Sequence, residues 1–151
     1  MPERSGDTEP RIVLAFDFGR RRIGVACGDT FSQAAMPLPV LLSPRDRIPW
    51  EAIDALFIEW RPAVTVVGLP YNADGSESVL AREARAFAAE LAERSRVRVH
   101  LIDERYSSLE AAARLRQSRQ SGVRRRRVAK GDVDAAAACV ILERWFDEAG
   151  G

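Results

Sequence analysis

Apolar residues first arrive as three short runs with no helical pattern between them, at residues 12–16 (IVLAF), 22–27 (RIGVAC) and 37–42 (PLPVLL). Each has strand length and turn-forming neighbours, so the spacing predicts three strands joined as an antiparallel meander. A helix then opens at Pro49-Trp50-Glu51 and runs to about Trp60, with Ile53, Leu56, Phe57 and Trp60 on one face. Pro62 ends it. The β-branched run 64–68 reads as a strand buried on both faces, central and parallel to the first. Residues 68–77 form a loop that feeds a second helix reaching about Ser95, with Asp74 as N-cap and Glu77 closing a capping box. Val79, Ala86, Phe87 and Leu91 are expected in its buried stripe.

Residues 97–102 alternate as a further strand, and Ser107 with Glu110 fits a capping box for the helix after it. A last helix is expected from Asp132, its N-cap, to about Asp147, and its alanines permit close packing on a sheet. The expected organisation is a disordered tail over 1–10, then one domain over 11–148 with a mobile basic loop at about 118–131.

Composition narrows the function classes. The chain has 151 residues, 46% of them hydrophobic, and a formal net charge of +1, so total charge argues for neither nucleic acid nor membrane. No apolar leader opens the chain and no run of 18 uncharged apolar residues occurs, which predicts a soluble, cytoplasmic protein without a membrane partner. Cys27 and Cys139 lie in apolar runs without CxxC spacing and read as buried small hydrophobes. His100 is the only histidine, so a histidine-based zinc site or triad has little to draw on. No GxGxxG follows the first strand.

Charge is informative where it clusters. From Arg114 to Lys130 there are eight basic residues, including Arg124, Arg125, Arg126 and Arg127, and no acidic one. Such a run is either a solvated extended loop or an arm that grips a phosphate backbone. Asn72, ahead of the second helix, and Arg22, in the turn after the first strand, are further candidates for phosphate contacts.

Carboxylates stand at three element ends. Asp17 closes the first strand, Asp103-Glu104 closes the strand at 97–102, and Asp134 lies in the first turn of the last helix. Asp17 has a structural explanation as a turn former and Asp134 as a dipole partner, whereas capping accounts for neither Asp103 nor Glu104. Asp17, Glu104 and Asp134 together offer oxygen ligands for Mg²⁺ or Mn²⁺. Carboxylates holding two such ions about 3.5 to 4 Å apart serve phosphodiester hydrolysis without a protein nucleophile. Asp132 competes with Asp134 for the helix position.

The blocks AFDFGRRRIGVA, VVGLPYNADGSES, LIDERYSS and DVDAAAACVIL, in this order, resemble the YqgF (RuvX) family of the ribonuclease H superfamily, with coverage from Arg11 to about Phe146. The resemblance implies an α/β fold with a mixed five-stranded sheet, its first three strands antiparallel, flanked by helices. It implies a metal-dependent nuclease with pre-16S rRNA processing as its role, and Holliday junction resolution as the older suggestion. RNA is therefore the expected partner, branched DNA the alternative, and the chain a monomer or homodimer. A non-catalytic factor that binds RNA during ribosome assembly is the competing reading.

Carried over by position, the blocks assign Asp17, Glu104 and Asp134 as catalytic metal ligands. Arg22, Asn72, Arg105, Arg124 to Arg127 and Lys130 are the expected nucleic-acid contacts. Ser78 replaces a more usual glycine, and Tyr106-Ser107-Ser108 a more usual aliphatic-Thr-Thr. The Asp-x-Gly turn also suits a sugar-kinase-like ATPase, but that fold needs a second domain for which this chain is too short.

Overall fold

The predicted meander forms. In the computed structural model, which describes residues 11–70, 78–103 and 130–150, β1 (Ile12–Asp17), β2 (Arg22–Asp29) and β3 (Ala35–Leu42) are successive antiparallel neighbours. β4 (Val64–Leu69) pairs parallel to β1, and β5 (Arg98–Asp103) pairs parallel to β4, which gives the order β3-β2-β1-β4-β5. The described α-helices are α1 (Trp50–Trp60), α2 (Val79–Ser95) and α3 (Lys130–Gly150), and a short 3-10 turn spans Pro44–Asp46.

Strand alternation divides the core between the two faces of the sheet. Leu14 and Phe16 of β1, with Ile23, Val25, Cys27 and Val67, pack against Ile53 of α1 and Phe87 and Leu91 of α2. The intervening Val13 and Ala15, with Ala26, Val66 and Ile102, pack against Ile141, Leu142 and Phe146 of α3. Each large side chain buried in this way contributes about 1.5 to 3 kcal/mol. Cys27 and Cys139 are buried, as their surroundings in sequence predict, and lie on opposite faces of the sheet with no disulfide between them. Burial, with a smaller push from the charge of Glu59, raises the Cys27 thiol pKa.

Two helix starts differ from expectation. Ser78, not Asp74, caps α2: its Oγ accepts from the Ala81 amide at 3.0 Å and donates to the Pro70 carbonyl at 2.6 Å. That bond starts the helix at Val79, which is 56% exposed, and the buried stripe is Ala81, Ala84, Phe87, Ala88 and Leu91. Ala86 lies on the exposed side. Helix α3 already includes Lys130, so Asp132 falls within its first turn and does not cap it. The expected N-terminal tail, Asp74, Glu77, the helix after Ser107 and nearly all of the basic loop lie outside the described residues.

Candidate active site

Alternation that sends Leu14, Phe16 and Phe18 toward α2 sends Asp17 toward α3. Asp17 is half-buried at the end of β1, and the next residue, Phe18, is anchored in the opposite core with its ring 5.1 Å from that of Phe87. The carboxylate is thereby held at the carboxyl end of the sheet. Arg22 and Gly24 of β2 lie on the same face, because Ile23 and Val25 point the other way.

Gly24 joins the first and last elements of the site. It pairs with Asp17 across the β1–β2 ladder. A Cβ built on it would stand 2.1 Å from the backbone oxygen of Asp134. The absent side chain thus lets the start of α3 rest on the sheet directly beside Asp17. The buried alanines Ala135 to Ala138 extend the same close approach along the helix.

Arg22 then fixes the side chain of Asp134: its Nε donates to Oδ2 at 2.9 Å, with the two side chains 28% and 25% exposed. Beside the pair, Gly19, Arg20, Arg21, Arg22, Leu80 and Asp134 line a cleft of about 340 Å³. Arg20 is turned aside by a 2.7 Å contact from Nε to Glu83 of α2, and that hydrogen bond raises the pKa of its guanidinium. On the far side of the site, Arg144 of α3 donates to the Asp103 carbonyl at 2.9 Å and ties the end of β5 to the same helix.

Of the residues expected from sequence, Asp17, Arg22 and Asp134 come together. Lys130 is the first residue of α3. Glu104, Asn72, Arg105 and Arg124 to Arg127 lie outside the described residues. Among the described residues no group of three His, Cys, Asp or Glu side chains is assembled to hold a metal ion. Asp17 and Asp134 offer oxygen donors only, a set that suits hard divalent cations. His100 is engaged elsewhere, 5.6 Å from the Trp145 ring.

Sequence reasoning missed two features. The Arg22–Asp134 pair spans 112 residues and leaves no local signature. Gly24 did leave one, since an isolated glycine inside a strand marks a bulge or a close backbone approach.

Residues 11–148 match the family profile described as RuvX, Holliday junction resolvase. A protein of Xylella fastidiosa (strain M12), provisionally named pre-16S rRNA nuclease, is 44% identical over 146 residues, which is 97% of this chain and 94% of that protein. One of the same provisional name from Edwardsiella ictaluri (strain 93-146) is 46% identical over 139 residues, covering 91% of this chain and 96% of that protein. Among solved structures, RuvC of Thermus thermophilus in complex with a Holliday junction substrate superposes with a TM-score of 0.57 at 18% identity, over 93% of this chain and 96% of that one. The yeast mitochondrial Holliday junction resolvase Ydc2 superposes with a TM-score of 0.53 at 13% identity, over 95% of this chain and 82% of that one. These two likenesses establish the ribonuclease H-like fold.

Proposed function

The chain belongs to the RuvX family and is a nuclease, and from that premise we propose that it is a divalent-metal-dependent endonuclease acting on pre-16S rRNA. The substrate follows the names of relatives 44 to 46% identical to it over nearly their whole lengths. The observation that carries the catalytic reading is the contact at Gly24, which seats Asp134 of α3 beside Asp17 of β1.

In this reading Asp17, Asp134 and Glu104 are the metal ligands, and Glu104 directly follows Asp103, the last residue of β5. Two Mg²⁺ or Mn²⁺ ions, if held by these carboxylates, would supply activation of the attacking water and stabilisation of the leaving oxygen. Arg22 orients Asp134 and places positive charge where a phosphate enters. Lys130, Arg124 to Arg127, Asn72 and Arg105 are the further candidates for phosphate contacts. The protein works among cytoplasmic RNA, as a monomer or a homodimer.

Cleavage of branched DNA is the second reading, favoured by the family description as a Holliday junction resolvase. The test presents the purified chain with a pre-16S rRNA fragment and a four-way DNA junction, each with Mg²⁺, Mn²⁺ or EDTA. RNA cleavage that requires a divalent ion is expected. Cutting of the junction alone would reassign the substrate, and cutting in EDTA would remove the metal. Salt-sensitive RNA binding without cleavage under any ion would leave a non-catalytic assembly factor.

A further inference from the structure

A second positive surface begins at the candidate site and leads away from it. The cleft beside Asp134 has Arg21 as one wall, and Arg21 also lines the adjoining cleft with Ser43, Pro44 and Arg45. The second cleft shares Leu42, Pro44 and Arg45 with a third, of about 810 Å³, which continues past Arg47 to Trp50. Through these shared residues the three clefts follow one another as an open trough from Asp134, past the β1–β2 turn, to the start of α1. The backbone fixes this adjacency: the Ser43 amide donates to the Arg21 carbonyl at 2.9 Å, and Arg22 pairs with Leu42 across the β2–β3 ladder.

Its charges are available for a ligand. Arg20 and Arg22 have carboxylate partners, but Arg21, Arg45 and Arg47 are exposed and make no ion pair among the described residues, although Asp46 and Glu51 stand along the same trough. Arg45 and Asp46 both adopt left-handed backbone, at φ 55° and 58°, which aspartate tolerates but which costs roughly 1–2 kcal/mol at Arg45. The turn is therefore held in a conformation that Arg45 does not favour. Trp50, the aromatic residue that lines the trough, has the Arg94 guanidinium 4.6 Å from its ring and the Phe87 ring at 5.6 Å. The trough's exposed guanidinium groups suit bidentate contact with phosphate oxygens, which positions a nucleic acid without reading its sequence.

We propose that this trough holds the phosphodiester backbone of the substrate's flank, with Arg21, Arg45 and Arg47 as its contacts, so that the substrate is gripped on the β3 side of the site. The assignment rests on the nuclease reading for its ligand. It makes substrate length, not base sequence, the property that this side of the protein senses.

The test measures the salt dependence of binding in EDTA, where cleavage does not interfere, for a long RNA stem and for one truncated to the cut position. Arg45→Gln with Arg47→Gln should lower the slope of log K against log salt by about 1.5 to 2 units on the long stem. It should have no effect on the short one. Arg45→Lys with Arg47→Lys should restore the slope, and Arg98→Gln, at the opposite end of the sheet, should leave it unchanged. A matched DNA duplex tells RNA from DNA: an equal loss assigns the trough to either backbone, and a loss on RNA alone assigns it to RNA. An unchanged slope on the long stem, or an equal loss on both stems, overturns the proposal. Metal-dependent cleavage by the wild-type chain, scored separately, tells that failure from failure of the nuclease reading.

Discussion

Arg22, the first residue of β2, donates from Nε to Oδ2 of Asp134 on α3 at 2.9 Å, and so couples the strand that borders Asp17 to the helix that carries the second carboxylate. Both side chains retain partial access to water, so the pair contributes no more than about 1 kcal/mol to folding. Its larger effect is on orientation. Arg22→Gln should leave the thermal unfolding transition nearly in place and reduce single-turnover cleavage about 10- to 100-fold at saturating divalent ion. A variant that cleaves like wild type would make the pair a surface contact only.

Gly24→Ala should be far more damaging to the fold. The new methyl would meet the Asp134 backbone oxygen, an atom that cannot swing aside as a side chain would. Either the start of α3 lifts from the sheet or β2 bends, at about 1–3 kcal/mol. Urea denaturation should show that loss together with reduced cleavage, since Asp134 moves with its helix. Unchanged stability would mean that the helix does not rest on Gly24.

Much of this arrangement was legible in the sequence because it follows from short-range patterns. Apolar runs without intervening helix gave the meander, the β-branched run at 64–68 gave the central parallel strand, and Pro49 marked the start of α1. Asp17 and Asp134 were recognisable as acids at element ends. What escaped depends on competition or on distance. Asp74 with Glu77 makes a capping box on paper, but Ser78 alone can bond to both the Ala81 amide and the Pro70 carbonyl, and that choice rotates the buried stripe of α2. The Arg22–Asp134 pair arises only when the first and last elements meet.

A hydroxyl in the core provides an independent check on packing. Thr65 of β4 is fully buried, and its Oγ1 has no hydrogen-bond partner among the described residues. A hydroxyl buried in this way costs more than the methyl that would replace it. Thr65→Val should raise stability by about 1 kcal/mol and leave cleavage unchanged. A loss of stability would show that Oγ1 is hydrogen-bonded in solution.

The turn after β2 carries a pH signature. Asp29 accepts hydrogen bonds from the Ser32 amide at 2.7 Å, the Ser32 hydroxyl at 2.9 Å and the Phe31 amide at 2.9 Å, and these hold its pKa below the usual carboxylate value. A folded-state pKa below the unfolded one, near 3.9, means that the contribution is fully present above that pH and is lost as pH falls through the folded value. Asp29→Asn should therefore be less stable than wild type at neutral pH, with the gap closing in acid. A gap of constant size from pH 7 to acid would rule the carboxylate out as its source.

The central claim is that Asp17 acts in cleavage through a divalent ion and does not serve merely as the turn former its position allows. Substitution by asparagine keeps the size of the side chain and much of its hydrogen bonding while removing the charge that a cation needs. The direct measurement compares Asp17→Asn with wild type for affinity toward the pre-16S rRNA fragment and for single-turnover cleavage in saturating Mg²⁺ or Mn²⁺. The account predicts affinity within about threefold and cleavage reduced by roughly 10³-fold or more. Cleavage at the wild-type rate would contradict it.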